Sequence, residues 1–232
     1  MPFNQRKNHT LLILFILTIL FNASGSFAQK LSMAEAKHAG DSIIPEAILP
    51  FWQSLTLKEK VAQTLMVYMP SASYIKKHQF GGVLIMKPHL KDTLHLKEEL
   101  SLANESLKIP LLTAIDQEGG KVNRLQAISP EWKNLPSAKE MRTMTDDSVY
   151  NLAKQIGNAL HHYGINLNLA PVLDPPKDSK GKPSFIEVSN RSFGEFETAV
   201  PKIRSFVKGM KESKVLSTSK HFPGYDSWTN SD

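Results

Sequence analysis

The chain has no cysteine among its 232 residues. That absence excludes disulfides, thiolate metal sites and lipid attachment at a signal-peptide cysteine. It is compatible with an oxidising compartment without proving one. No apolar run reaches the length of a membrane span. The longest, Leu11 to Phe21, covers 11 residues and is interrupted by Thr18, against about 20 for a bilayer-crossing helix. There is no internal repeat at solenoid spacing and no low-complexity block. A dense basic stripe with interleaved aromatics is also missing. Lys and Arg exceed Asp and Glu by 28 to 22, but the lysines are scattered, so nucleic acid is not indicated as a partner. Anionic cell-wall or membrane material is not indicated either.

What remains is ordinary globular composition, 41% hydrophobic and 22% charged, enough for one sizeable core. The first 28 residues have the build of a signal peptide. Arg6 and Lys7 give a positive start, the short apolar run follows, and Ser26-Phe27-Ala28 places small residues where a signal peptidase reads. Cleavage near Ala28 would leave 204 of the 232 residues, exported to the periplasm or the exterior. A signal anchor is the alternative, with no stable membrane span expected in the mature chain. Residues 29–54 form a lead-in punctuated by Pro45 and Pro50.

From residue 55 onward the pattern alternates. Thr56-Leu57-Lys58-Glu59 fits a capping box opening a helix, which leads into a first strand near Leu65 to Tyr68. Gly81 to Met86 is short and almost wholly apolar, as a strand buried on both faces should be. Leucines 90, 94, 100, 102 and 107 predict an amphipathic helix over Leu90 to Lys108. Pro110 to Ile115 reads as a third strand ending at Asp116. Asp146 to Tyr163 reads as a helix with two acids in its first turn and Gly164 as its stop. Ile165 to Ala170 is a fourth strand, Phe196 to Glu212 a helix, and Val215 to Ser219 a fifth strand leading into Lys220-His221. Alternating strands and helices predict α/β architecture with a parallel sheet. Polar residues collect where strands end: Asp116, Asp174, Lys220 and His221. Both a (β/α) barrel and an open doubly wound sheet put ligands at that edge, and periodicity does not separate the two.

Four segments carry the chemistry. In Asp116-Gln117-Glu118-Gly119-Gly120-Lys121-Val122-Asn123-Arg124, a strand-end carboxylate suits vicinal sugar hydroxyls. Paired glycines let the backbone turn and approach a ligand, and Arg124 brings a planar fork of donors. A tight turn with a solvated acid fits the same letters. Asn168 to Asp174 leads from a strand into a loop, and Asn190-Arg191-Ser192-Phe193-Gly194 is a loop with a charge beside an aromatic. Lys220-His221-Phe222-Pro223-Gly224 places two donors at one strand end, one of which titrates near neutrality. The adjacent His161 and His162 point apart on a helix and cannot chelate together. No metal or organic cofactor is indicated.

In this order and at these separations, IDQEGGKVNRL, NLAPVLD, NRSFG and KHFPG resemble family 3 glycoside hydrolases. KHFPG points to the branch containing bacterial β-N-acetylglucosaminidases. The likeness runs from about Leu55 to the C-terminus. It implies a TIM-like (β/α) barrel that binds a non-reducing terminal sugar of an N-acetylglucosamine-containing glycan. By that likeness Asp116, Arg124, Arg191, Lys220 and His221 bind the sugar. The implied reaction is retaining hydrolysis, in which a carboxylate attacks the anomeric carbon and an acid/base group protonates the leaving oxygen, then activates water. In this branch the acid/base is a His paired with an Asp, and Asp232 falls about where that Asp belongs. The His and the nucleophile Asp would lie beyond Asp232.

The sequence also departs from the family pattern. Tyr225-Asp226 stands where the family has His-Gly, and Lys121 replaces the commoner Arg. About five of eight barrel strands are expected here. Five strands do not close a barrel whose tilt and shear need eight, and the first and fifth would leave edges. A truncated or frameshifted record, an inactive carbohydrate-binding remnant and a barrel completed by a second polypeptide all fit that expectation. The resemblance predicts release of terminal β-linked N-acetylhexosamine by the intact protein and no turnover by this chain alone. The rival readings are a carbohydrate-binding remnant and β-glucosidase specificity on the same fold.

Overall fold

The computed structural model describes residues 46–222 and Gly224. The signal segment, most of the lead-in, Tyr225, Asp226 and Asp232 lie outside the described residues. The chain divides into two compact units, the first ending at Thr56 and the second beginning at Leu57. The described part of the first unit is a 3-10 turn, Glu46–Ile48, and helix α1, Leu49–Ser54, with Pro50 in its first turn, where a missing N–H costs nothing.

The second unit holds helices α2 (Leu57–Ala62), α3 (Ala72–His78), α4 (Thr93–Asn104), α5 (Ala138–Met141), α6 (Asp146–His162), α7 (Phe185–Val188) and α8 (Phe196–Glu212). Its strands are β1 (Met66–Tyr68), β2 (Gly82–Ile85), β3 (Leu112–Ile115), β4 (Leu167–Asn168) and β5 (Leu216–Ser217). All pair in parallel and in sequence order, β1-β2-β3-β4-β5. That order separates the two architectures left open above. A doubly wound sheet reverses its strand order part-way. A sheet that grows in one direction through right-handed crossovers keeps its helices on one face, as a (β/α) barrel does.

Burial supports the one-sided arrangement. Val83, Ile85 and Ile115 are fully buried and join one core with Ile75, Leu96, Leu100, Ile156, Leu160 and Met210 from the helices. The alternate positions form the other face, where Met66, Tyr68, Leu112 and Leu216 are 40%, 69%, 40% and 59% exposed. Among the described residues no helix is long and apolar enough to cross a membrane.

The two long helices fall where the sequence puts them. Thr145 caps α6, its hydroxyl accepting from the Ser148 amide, and Gly164 closes it at φ +77°. Helices α6 and α8 approach closely because Gly209 has no side chain. A Cβ there would stand 2.4 Å from the Tyr150 carbonyl oxygen. The stretch from Leu90 to Lys108 is not one helix. Lys87–Lys91 is a 3-10 turn, and Asp92 restarts the chain as an N-cap, accepting from the His95 amide at 3.0 Å. The buried stripe is Leu96, Leu100 and Ala103, while Leu94 and Leu102 face solvent. Helix α3 gives no strong pattern because it buries two residues, Ala72 and Ile75.

Beyond its two assigned residues β4 continues as backbone hydrogen bonds. The Asn166 amide donates to Thr113, the Leu169 amide to Ile115, and the Lys220 amide to Pro171. Side chains reinforce this seam. Asn166 accepts from the Thr113 amide and donates to the Leu111 carbonyl, and Asn168 does the same with both backbone groups of Gln117. Two amides thus clamp β3 and fix the point where Asp116 leaves it.

Candidate active site

Strand β3 delivers Asp116, and the following turn is built to bring Glu118 back beside it. Gln117 is buried. Its Oε1 accepts from the Arg124 and Leu125 amides, and its Nε2 donates to Asn123. Gly119 and Gly120 take φ +95° and +52°, and a Cβ on either would meet Pro136 O at 2.1 Å or Ser137 Cβ at 2.6 Å. Only glycine permits both the left-handed backbone and that approach. The turn is therefore a fixed scaffold rather than a solvated loop.

On this scaffold four charges interlock. Lys220 Nζ lies 2.5 Å from Asp116 Oδ1 and 2.6 Å from Glu118 Oε1. Arg191 forks onto Glu118 through Nε at 2.8 Å and Nη2 at 2.9 Å. The Glu118 and Arg191 side chains are 5% and 11% exposed, and that of Lys220 15%. Ions so far removed from water persist only when paired and hydrogen-bonded. Two carboxylates and two cations make the set neutral, so neither Lys220 nor Arg191 needs an outside anion.

Next to this set, the fully buried Asp174 carboxylate holds His221. It accepts from the His221 amide at 3.2 Å and meets ring Nδ1 at 2.6 Å. Gly224, at φ +101°, passes so close that a Cβ would lie 3.2 Å from Asp174 Oδ1. An acceptor at Nδ1 fixes the ring's orientation and places the neutral form's proton there. The Lys220–His221 peptide bond is cis.

The loop carrying Arg191 is braced from outside. Arg142 pairs with both Glu187 oxygens and donates from Nε to the Ser192 carbonyl at 2.9 Å. Lys139 reaches Glu187 at 3.1 Å, and Ser192 Oγ donates to the Asp174 carbonyl. Burial pushes the Glu187 carboxyl up, but Arg142 and then Lys139 outweigh it and hold the group below the usual glutamate range.

Of the residues singled out from sequence, the structure links Asp116, Arg191 and Lys220 through one set of ion pairs, with His221 next in the chain. Arg124 is in none of these pairs. Its amide serves the turn, and its Nε is buried without a hydrogen-bond partner. Asp232 lies outside the described residues. Sequence reasoning assigned no role to Glu118 or Asp174, though each accepts from two groups of the site. The signal for Glu118 was present, since a second acid two residues after Asp116 needs countercharge once buried. Among the described residues no three His, Asp or Glu side chains converge to hold a metal.

Residues 56–232 match the Glycosyl hydrolase family 3 N terminal domain. The chain belongs to glycosyl hydrolase family 3. As a family 3 member it is 34% identical over 160 residues to Beta-hexosaminidase A of Pseudoalteromonas piscicida, covering 65% of this chain and 26% of that protein. It is 29% identical over 185 residues to Beta-hexosaminidase LpqI of Mycobacterium tuberculosis, covering 74% of this chain and 44% of the relative. The solved structure of M. tuberculosis LpqI superposes with a TM-score of 0.65 at 29% identity, covering 79% of this chain and 53% of that one. A family 3 β-N-acetylglucosaminidase from Paenibacillus superposes at 0.63 with 30% identity, covering 77% and 35%. The chain thus spans between a quarter and a half of the length of these curated relatives.

Proposed function

We propose that this family 3 protein serves the hydrolysis of O-glycosidic bonds, releasing terminal β-linked N-acetylhexosamine with retention of configuration. One observation carries the reading: Asp116, Glu118, Arg191 and Lys220 form a neutral, largely buried ionic set at the carboxyl edge of the sheet, with His221 beside it. A sugar offers neutral hydroxyls, and hydrogen bonds to ionised groups are the stronger kind. Lys220, held between two carboxylates, cannot swing away, so a hydroxyl meets a donor already in place. Asp116 accepts from the sugar, and Arg191, Lys220 and His221 donate or accept according to the hydroxyl they face. Arg124 is assigned to the sugar site by resemblance. The names of the relatives, β-hexosaminidase and β-N-acetylglucosaminidase, support the N-acetylhexosamine class. Asp232 is assigned to the acid/base dyad by resemblance.

Calorimetric titration of the 232-residue protein with N-acetylglucosamine tests the binding step. Heat at millimolar sugar that disappears in Lys220→Ala supports the reading, and no heat in the parent protein removes it. We also propose export with cleavage after Ala28, on the strength of the charged start and apolar run. Protein recovered from the cell envelope should then begin at Gln29.

A further inference from the structure

The Asp174 side chain has no exposure to solvent, so it does not reach a sugar itself. Its carboxylate is directed at His221, and the backbone sets the two opposite each other. The Lys220 amide donates to the Pro171 carbonyl and the Leu173 amide to the Lys220 carbonyl. This is a short parallel pairing of the segment after β4 with the segment after β5. Asp174 follows it on one side and His221 on the other. Buried Ser192 ties Asp174 to the loop that carries Arg191. Its Oγ donates to the Asp174 carbonyl at 3.0 Å and accepts from the Gly194 amide at 3.2 Å.

Within that frame one oxygen, Asp174 Oδ2, meets both the His221 amide at 3.2 Å and ring Nδ1 at 2.6 Å. A carboxylate only accepts, so Nδ1 carries a proton at that distance. A neutral imidazole has one proton, so Nε2 is then an acceptor. The His221 side chain is 23% exposed, and what it shows to solvent lies away from the buried Asp174. That polarity sets His221 apart from its neighbours. Lys220 and Arg191 only donate, and both Glu118 oxygens already accept from them.

We propose that Asp174 is a positioning residue that makes His221 a hydrogen-bond acceptor, so the sugar hydroxyl facing His221 must donate its hydrogen. The inference rests on the terminal-sugar reading above. Nitrogen-15 NMR of the 232-residue protein reads the ring directly at pH about 8, above the ordinary histidine value of about 6.5. The His221 signals are those lost in His221→Gln. The expected ring has Nδ1 protonated and Nε2 bare. Asparagine offers a donor as well as an acceptor, so in Asp174→Asn the ring should populate both tautomers and its two nitrogen shifts should converge. A parent ring protonated at Nε2, alone or together with Nδ1, or shifts unmoved by Asp174→Asn, overturns the proposal.

Calorimetry with N-acetylglucosamine and its 3-, 4- and 6-deoxy and deoxyfluoro analogues reads the consequence. Fluorine cannot donate, so at one position the deoxy and fluoro sugars should both lose about tenfold in affinity. That loss should shrink in Asp174→Asn, while a loss set by Asp116 should persist. Fluorine restoring affinity at every position, or losses all undiminished in Asp174→Asn, overturns the proposal. Both measurements on the parent protein stand even if Asp174→Asn does not fold. No binding of N-acetylglucosamine itself removes the terminal-sugar reading as well, whereas a misplaced ring proton with sugar bound removes only this one.

Discussion

Glu118 is the residue on which the charged set depends. It accepts from Arg191 twice and from Lys220 once, in a place nearly closed to water. Removing one partner of a buried pair costs about 3–5 kcal/mol, because the other charge stays buried and uncompensated. Glu118→Gln keeps the size but not the charge. It should lower stability by about 3 kcal/mol in urea denaturation and abolish the heat of sugar titration. A stable variant with unchanged titration would remove Glu118 from the site. Asp116, Arg191 and Lys220 were legible in the sequence because they stand at strand ends or in a loop next to a recognisable run of letters. Glu118 carried a signal and Asp174 stood among the strand-end polar residues, but neither could be given its partner, because acids are usually solvated and their burial is set by residues far along the chain. Arg191 lies 73 positions from Glu118, and His221 47 from Asp174.

At the scale of elements, the loop that presents Arg191 is fixed by α7 and by the residue following α5. Glu187 receives Arg142 and Lys139 there, and its carboxyl is lowered despite burial. A group whose pKa is lower when folded stabilises the fold above its unfolded value, about 4.3 for Glu. That contribution is lost as pH falls through the lowered folded value. Glu187→Gln should therefore be less stable than the parent at pH 7, and the gap should close on acidification to about pH 3. Urea midpoints at the two pH values give the comparison, and a gap that does not change with pH would count against the brace. Helices α6 and α8 could be read closely from their caps and apolar stripes. Helix α4 could not, because the leucine pattern ran across the Asp92 cap, and a single capping side chain outweighed it. The two short helices of the brace gave no periodic signal, since four residues make about one turn.

Across the second unit, the sheet buries one face under helices and leaves apolar residues on the other. Within the described residues β1 pairs with β2 alone and β5 with β4 alone. An unpaired edge beside Tyr68 or Leu216 is a template for association. Leu216→Lys should reduce concentration-dependent self-association of the 232-residue protein in sedimentation velocity, and identical profiles would show that this edge is not used. The parallel α/β plan was legible from alternation, whereas its one-directional strand order was not, because order depends on which strands meet in space.

The contact between Asp116 and Lys220 joins points 104 positions apart. Those two side chains meet when the third, fourth and fifth strands are all laid side by side, so the pair has no half-assembled form. Any saccharide that settles there selects molecules in which this whole run of chain has reached its final arrangement. Its affinity would then be shared with the folding equilibrium, and a small sugar bound there would act as a latch on more than a hundred residues.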